Sequence, residues 1–197
     1  GPACFSPAGG IYSPSEALDA LSDREVLAGA SIHLESHAMD VLDHGDRCMI
    51  RIGDAGLLCD AVVFAANSAC PALDPFFSDK ITPVRSQSIA IRRESPPLPY
   101  ACTAQYGYIQ WRDAGDLRMI SGCRWATPHM ETGEEDDSVV VEAIDRKLHQ
   151  FAAQTWPFLS GEEALYRWSS IMGHSCDGLP ILGPLPGQPD RFACCGF

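Results

Sequence analysis

Several residues in this chain have the types and spacing to do chemistry. In "SCDGLPILG" an Asp-Gly pair, Asp177-Gly178, opens a tight turn ahead of an apolar run led by Leu179. Glycine has no Cβ, so such a turn is either a plain connection or a place where backbone N–H groups approach a ligand. "SGCRW" puts Arg124 on a strand, where its guanidinium can fork onto a carboxylate or pair with a neighbouring acid. "AVVFAA" reads as a strand, and Ala65, Ala66 and Asn67 end it, where open α/β sheets hold ligands. His174 and Cys176 in "HSC" could ligate a metal, but no second cluster completes a tetrahedron, so no metal is expected. No GxGxxG, the glycine fingerprint of a dinucleotide-binding loop, occurs in the 197 residues.

The elements that must position these groups can be read from pattern. Ser13 or Ser15 can cap a helix in which Ala17, Leu18 and Leu21 share a face, and Gly29 ends it. "ASIHLES" alternates as a strand, and residues 38–67 follow as a meander with turns at His-Gly-Asp and Asp-Ala-Gly. "AVVFAA" lacks alternation and reads as buried on both faces, as in a parallel sheet. A Pro-broken connection at 71–80 marks a boundary. Beyond it "TPVRSQSIAIRR", "YGYIQWR" and "LRMISGCRW" predict long antiparallel strands. One long helix follows, with Val140, Ile144, Leu148 and Phe151 on one face, capped by Asp137 or Ser138 and stopped by Pro157. The fold class expected is α+β, in segments 1–75, 76–166 and 167–197, the last returning to the first.

Composition bounds the function. Hydrophobic residues make up 46% and charged residues 20%, an ordinary globular balance. The net charge of −12 repels a phosphate backbone, so nucleic acid is excluded as a partner. No apolar run is long enough to span a bilayer, so no membrane role is expected. Nine cysteines, an odd number without CxxC, read as reduced and mostly buried thiols of a cytoplasmic protein. Cys194 and Cys195 are adjacent in a strand and point to opposite faces.

The order of motifs resembles the FAD-dependent amino acid and amine oxidoreductases: D-amino acid oxidase, glycine oxidase, sarcosine oxidase and gamma-glutamylputrescine oxidoreductase. The matching pieces are "GGIYSP", "DAVVFAAN", "ITPVRSQ", "LRMISGCRW", "WSSIMGHSCDGLPILGPLPG" and "FACCGF", spread over nearly the whole chain. The resemblance implies hydride transfer from the carbon beside a substrate nitrogen to a flavin, with a small amine or amino acid as substrate. It implies that Ala65, Ala66 and Asn67 lie near the adenosine diphosphate half of FAD. Val41 matches a position whose backbone meets the adenine, or is simply a core valine. Arg85 and Gln87 are implied beside the flavin ring, with Asp177, Gly178, Leu179 and Gly196 forming part of its cradle. Tyr108, Arg124 and Trp168 are implied as substrate contacts, with Tyr106 and Trp111 as further pocket walls. No catalytic base is implied. Ser170 stands near where some members attach the flavin through cysteine, so the FAD is expected to be non-covalent.

Two departures qualify the expectation. The family's glycine-rich phosphate loop precedes the region matched here, and its last glycine loop follows "GF". The chain is therefore expected to be a fragment that binds FAD weakly or not at all and is inactive alone. The alternative is a truncated, non-catalytic relative serving as a binding module. Unpaired sheet edges would then suit a homo-oligomer.

Overall fold

The computed structural model describes residues 4–6, 9–124 and 126–197, so Trp125 of the "SGCRW" motif lies outside the described residues. Helix α1 (Pro14–Leu27) begins at Ser13, whose Oγ accepts the Glu16 N–H at 3.5 Å, with Pro14 in the first turn. None of its residues is buried. "ASIHLES" does not form the expected strand: Ile32 and Leu34 are exposed and Glu35 sits at φ 55°. Alternation alone does not make a strand, because the backbone N–H and C=O groups also need a partner.

Strands β1 (Ala38–His44), β2 (Arg47–Ile52) and β3 (Ala55–Cys59) form the expected antiparallel meander. β4 (Val62–Phe64) is short and is followed by α2 (Cys70–Leu73). Then come β5 (Ile81–Arg92), β6 (Cys102–Ala104), β7 (Ile109–Ala114), β8 (Leu117–Cys123), the short α3 (Pro128–Glu131) and α4 (Glu142–Thr155). β9 (Tyr166–Ser175), β10 (Ile181–Leu185) and β11 (Gln188–Cys195) complete the chain. Three sheets result, ordered β1-β2-β3, β10-β11-β4 and β6-β7-β8-β5-β9. β9, expected with the tail, is an edge of the five-stranded sheet, so the chain changes sheets at the Asp177-Gly178 turn.

Two predictions about β4 part company. It pairs in parallel with β11, but it is not buried on both faces: Val62 and Phe64 are buried while Val63 is 61% exposed. Val62 and Phe64 join Val41, Cys48, Cys70, Phe77, Leu185, Ala193 and Cys195 in one apolar core. Arg191 enters that core's border and donates from Nη1 to the buried Asp74 at 2.7 Å. Cys195 is buried and Cys194 is less so, as adjacent strand residues must differ.

The second core lies between the five-stranded sheet and α4. Ile89, Ile91, Ile109 and Ile120 pack against Ile144, Leu148 and Ala152. Trp111 stacks edge-on with Trp156, and its ring centroid lies 5.5 Å from that of Phe151. α4 starts later than expected, and neither Asp137 nor Ser138 caps it. Instead the Gln87 amide, wholly buried on β5, holds both backbone groups of the capping residue: its Oε1 accepts the Val141 N–H at 2.8 Å, and its Nε2 donates to the Val141 carbonyl at 3.1 Å. A long-range side chain thus does the work that local capping was expected to do.

Candidate active site

A strand turns alternate side chains to opposite faces, so the five-stranded sheet has a second face. On β5 the helix-facing set is Arg85, Gln87, Ile89 and Ile91, and Ser86 and Ser88 face the other way. Ser121 on β8 answers Ser88, their hydroxyls 2.7 Å apart. Gln110 and Arg112 of β7, Met119 of β8 and Trp168, Ser170, Met172 and His174 of β9 extend this face, which floors a cavity of about 560 Å³. Tyr106, Gly107 and Tyr108 form its rim, and Ser175, Gly178, Gly196 and Phe197 close one end.

That end is shaped by backbone. Gly178 sits at φ 75° in the turn that leaves β9, and Asp177 Oδ1 accepts the Leu179 N–H at 2.9 Å to hold the turn. A Cβ at Gly178 would meet nothing, so its backbone is open to a neighbour. Gly196, at φ 78°, packs so closely that a Cβ would lie 3.2 Å from both Ile81 and Ser175. Ser175 Oγ is buried there without a hydrogen-bond partner among the described residues. An unpaired buried hydroxyl is costly unless something outside this chain's own contacts engages it.

His174 Nε2 lies 3.5 Å from Cys123 Sγ across the cavity floor. Burial pushes the Cys123 thiol up to about 11, with the Glu131 carboxylate adding to it. Burial also pulls His174 below its ordinary value, and the Arg124 guanidinium pulls it further. Both groups are therefore neutral at pH 7: a thiol beside a free imidazole, not a thiolate–imidazolium pair. No cluster of three or more metal-ligating side chains occurs among the described residues.

Of the residues singled out from the sequence, Tyr108, Trp168, Gly178 and Gly196 meet at this cavity. Asp177 braces the turn, and Leu179 beyond it is exposed. Arg85 and Gln87 do not face the cavity, which corrects their expected place beside a ring. Arg85 is buried and donates to the Val139 carbonyl at 2.6 Å and Ser169 Oγ at 2.9 Å, with Glu134 3.3 Å away. "VRSQS" is polar on both sides, so its pattern alone does not say which face meets the cavity. Arg124 is not on a strand: β8 ends at Cys123, and Arg124, at φ 52°, is exposed beyond it. Trp111 belongs to the helix side. Val41 is a core residue. Ala65 and Ala66 are exposed, and Asn67 docks on β9, its Oδ1 accepting the Gly173 N–H at 3.2 Å.

Ser86, Ser88, Ser121, Arg112 and the unpaired Ser175 hydroxyl carry no motif of their own, and His174 stood out only as a possible metal ligand. The period-two run Ser86-Ser88 with Trp168-Ser170-Met172-His174 was the signal that could have found them.

Comparison with known proteins agrees with this architecture. Residues 2–197 match the family of FAD dependent oxidoreductases designated DAO. Glycine oxidase of Geobacillus kaustophilus is 25% identical over 196 residues, 98% of this chain and 50% of that protein. Its crystal structure superposes with a TM-score of 0.74 at 21% identity, covering 90% of this chain and 47% of that one. L-proline dehydrogenase from P. horikoshii has the same fold, with a TM-score of 0.73 at 17% identity, covering 93% of this chain and 50% of that one. The chain thus spans about half the length of the curated relatives it matches. Motif order, a mixed α+β fold with antiparallel sheets, and a match across the whole length lead to one conclusion: this chain belongs to the DAO family of FAD dependent oxidoreductases.

Proposed function

We propose that this chain supplies the substrate-facing wall of an FAD-dependent enzyme that oxidises the C–N bond of a small amine or amino acid. The observation that carries this reading is the cavity on the polar face of the five-stranded sheet, ended by two positive-φ glycines and an unpartnered serine hydroxyl. Those residues fit the edge of a planar, polar ring: Gly178 offers open backbone and Ser175 Oγ an unused hydrogen bond. Ser175, Gly178 and Gly196 would hold the ring end of non-covalent FAD. The phosphate end has no glycine fingerprint in these 197 residues. Bound flavin supplies the hydride acceptor.

The chain's own residues do the rest. Tyr108 and Trp168 narrow the cavity and exclude water from the reacting carbon. Substrate arrives as an ammonium ion, which must lose a proton before its carbon can give up hydride. The unprotonated ring nitrogen of His174 is the acceptor that faces the cavity. Hydride leaves the carbon, the proton leaves the nitrogen, and the resulting imine is hydrolysed by water.

The test is the purified full-length gene product with a panel of amines and amino acids under anaerobic conditions. The expected result is a yellow protein whose flavin absorbance bleaches with a subset of the panel. A colourless protein, or one that no member of the panel reduces, overturns the reading. In the same assay His174→Gln lowers kcat/KM by roughly 10²-fold. Because His174 titrates below the ordinary 6.5, the wild-type rate falls on the acid side of that value. Arg124→Met raises the midpoint of that fall.

A further inference from the structure

The cavity has two ends, and the chemistry proposed above uses only one. At the other stands Arg112. Every arginine except Arg24, Arg112 and Arg124 pairs with a carboxylate among the described residues, and of these three only Arg112 lines the cavity. Among the described residues no aspartate or glutamate lines the cavity either. In a chain of net charge −12, that is a free guanidinium in a place kept clear of the prevailing charge. Arg112 also borders a side pocket of about 90 Å³ lined by Ala101, Thr103 and Gln110.

The strand register measures how far this cation is from the reacting end. Arg112 is level with Met119, Met119 with Ala90, and Ala90 with Tyr166. His174 lies eight residues further along the same strand as Tyr166 (174 − 166), which at about 3.3 Å per residue is roughly 26 Å along the sheet. The carboxylate of an α-amino acid reacting beside His174 could not reach Arg112. Between the two lie Ser86, Ser88, Ser121 and Gln110, a floor of hydroxyls and an amide suited to a polar chain.

We propose that Arg112 binds the remote carboxylate of an elongated substrate whose amine is oxidised at the His174 end. The substrate class is a primary or secondary amine carrying a carboxylate several residues' length away, with polar groups between, as in a short peptide. A guanidinium forks two hydrogen bonds onto such a group, which a point charge does not. The assignment of the reacting end rests on the function proposed above; the anion site does not.

Calorimetric titration of the purified full-length protein with glycine and with an eight-residue glycine–serine peptide, long enough at about 3.3 Å per residue to span the two ends, tests the site, with the C-terminally amidated peptide as uncharged counterpart. The expected result is the eight-residue acid binding at least tenfold more tightly than its amide and more tightly than glycine. Arg112→Met removes the difference between acid and amide, Arg112→Lys retains part of it, and Arg124→Met retains all of it. Equal binding of acid and amide, or loss through Arg124→Met instead of Arg112→Met, overturns the proposal. Flavin reduction by the same peptides is read separately. Tight binding of the eight-residue acid with no reduction by any amine keeps the anion site and sinks the oxidoreductase reading. Reduction by glycine with no preference for the longer acid does the reverse.

Discussion

The two faces of the five-stranded sheet use the same strands for opposite ends. Against α4, Ile89, Ile109 and Ile120 are fully buried, and most polar groups among them are bonded within the chain, Arg85 Nε excepted. Arg118, 1% exposed, donates to Asp113 at 2.9 Å and lies over the Trp156 ring at 4.4 Å. Arg85 and Gln87 spend their donors on the segment before α4. Facing the cavity, one residue along each strand, stand serines, Arg112 without an ion pair, and Ser175 with an idle hydroxyl. A face that must hold the fold satisfies most of its polar groups internally, and a face that must hold a ligand leaves more of them open.

Substitutions on the two faces should therefore separate sharply, and chemical denaturation checks the difference. Arg118→Ala removes the principal partner of the buried Asp113 carboxylate, leaving Arg93 at 3.3 Å, and is expected to cost up to about 3–5 kcal/mol, with much of the loss recovered when Asp113 is replaced as well. Burial pushes the Asp113 carboxyl up, but bonds from Arg118 and the Leu98 N–H, with the charges of Arg118 and Arg93, outweigh it and hold the group below 3.8. A depressed carboxylate stabilises the fold above its ordinary pKa. That contribution is lost as pH falls from 3.8 through the folded value, and Arg118→Ala should flatten the acid limb of stability. Ile120→Ala comes next, at about 2–5 kcal/mol for a truncated core residue.

Gly173→Ala probes the seam between sheets. A Cβ there would lie 2.7 Å from Asn67 Oδ1 and 2.8 Å from the Ser68 nitrogen, so the Asn67 turn must move at about 1–3 kcal/mol. The smallest effect belongs to Ser121→Ala, the residue beside Ile120 on the cavity face. It loses one hydroxyl contact with Ser88 and should cost about 1 kcal/mol or less. A cost for Ser121→Ala as large as that for Ile120→Ala would break the distinction between the faces.

How much of this was legible varies with the range of the interaction. α1 is set by Ser13, Pro14 and Gly29, all within its own neighbourhood, and it appears where they put it. The meander is fixed by its turns and pairs as read. α4 starts late because Gln87, from 54 positions away, holds Val141. Arg85 and Arg124 were both plausible site residues by type. One is buried on the helix side and the other leaves the strand at φ 52°, and neither outcome is written in a local motif.

What the sequence by itself determined is the family, the α+β character and the glycine turn at 178, because motif order and turn chemistry are properties of short stretches. Only the tertiary structure decided which polar residues face a ligand. "VRSQS" and "RWSSIMGHS" carry polar side chains on both faces, and a period of two cannot say which face a helix will cover. Once α4 packs onto Ile89, Ile109 and Ile120, the choice is made. Arg85 and Gln87 become structure, while Ser86, Ser88, Arg112 and His174 are left facing the cavity.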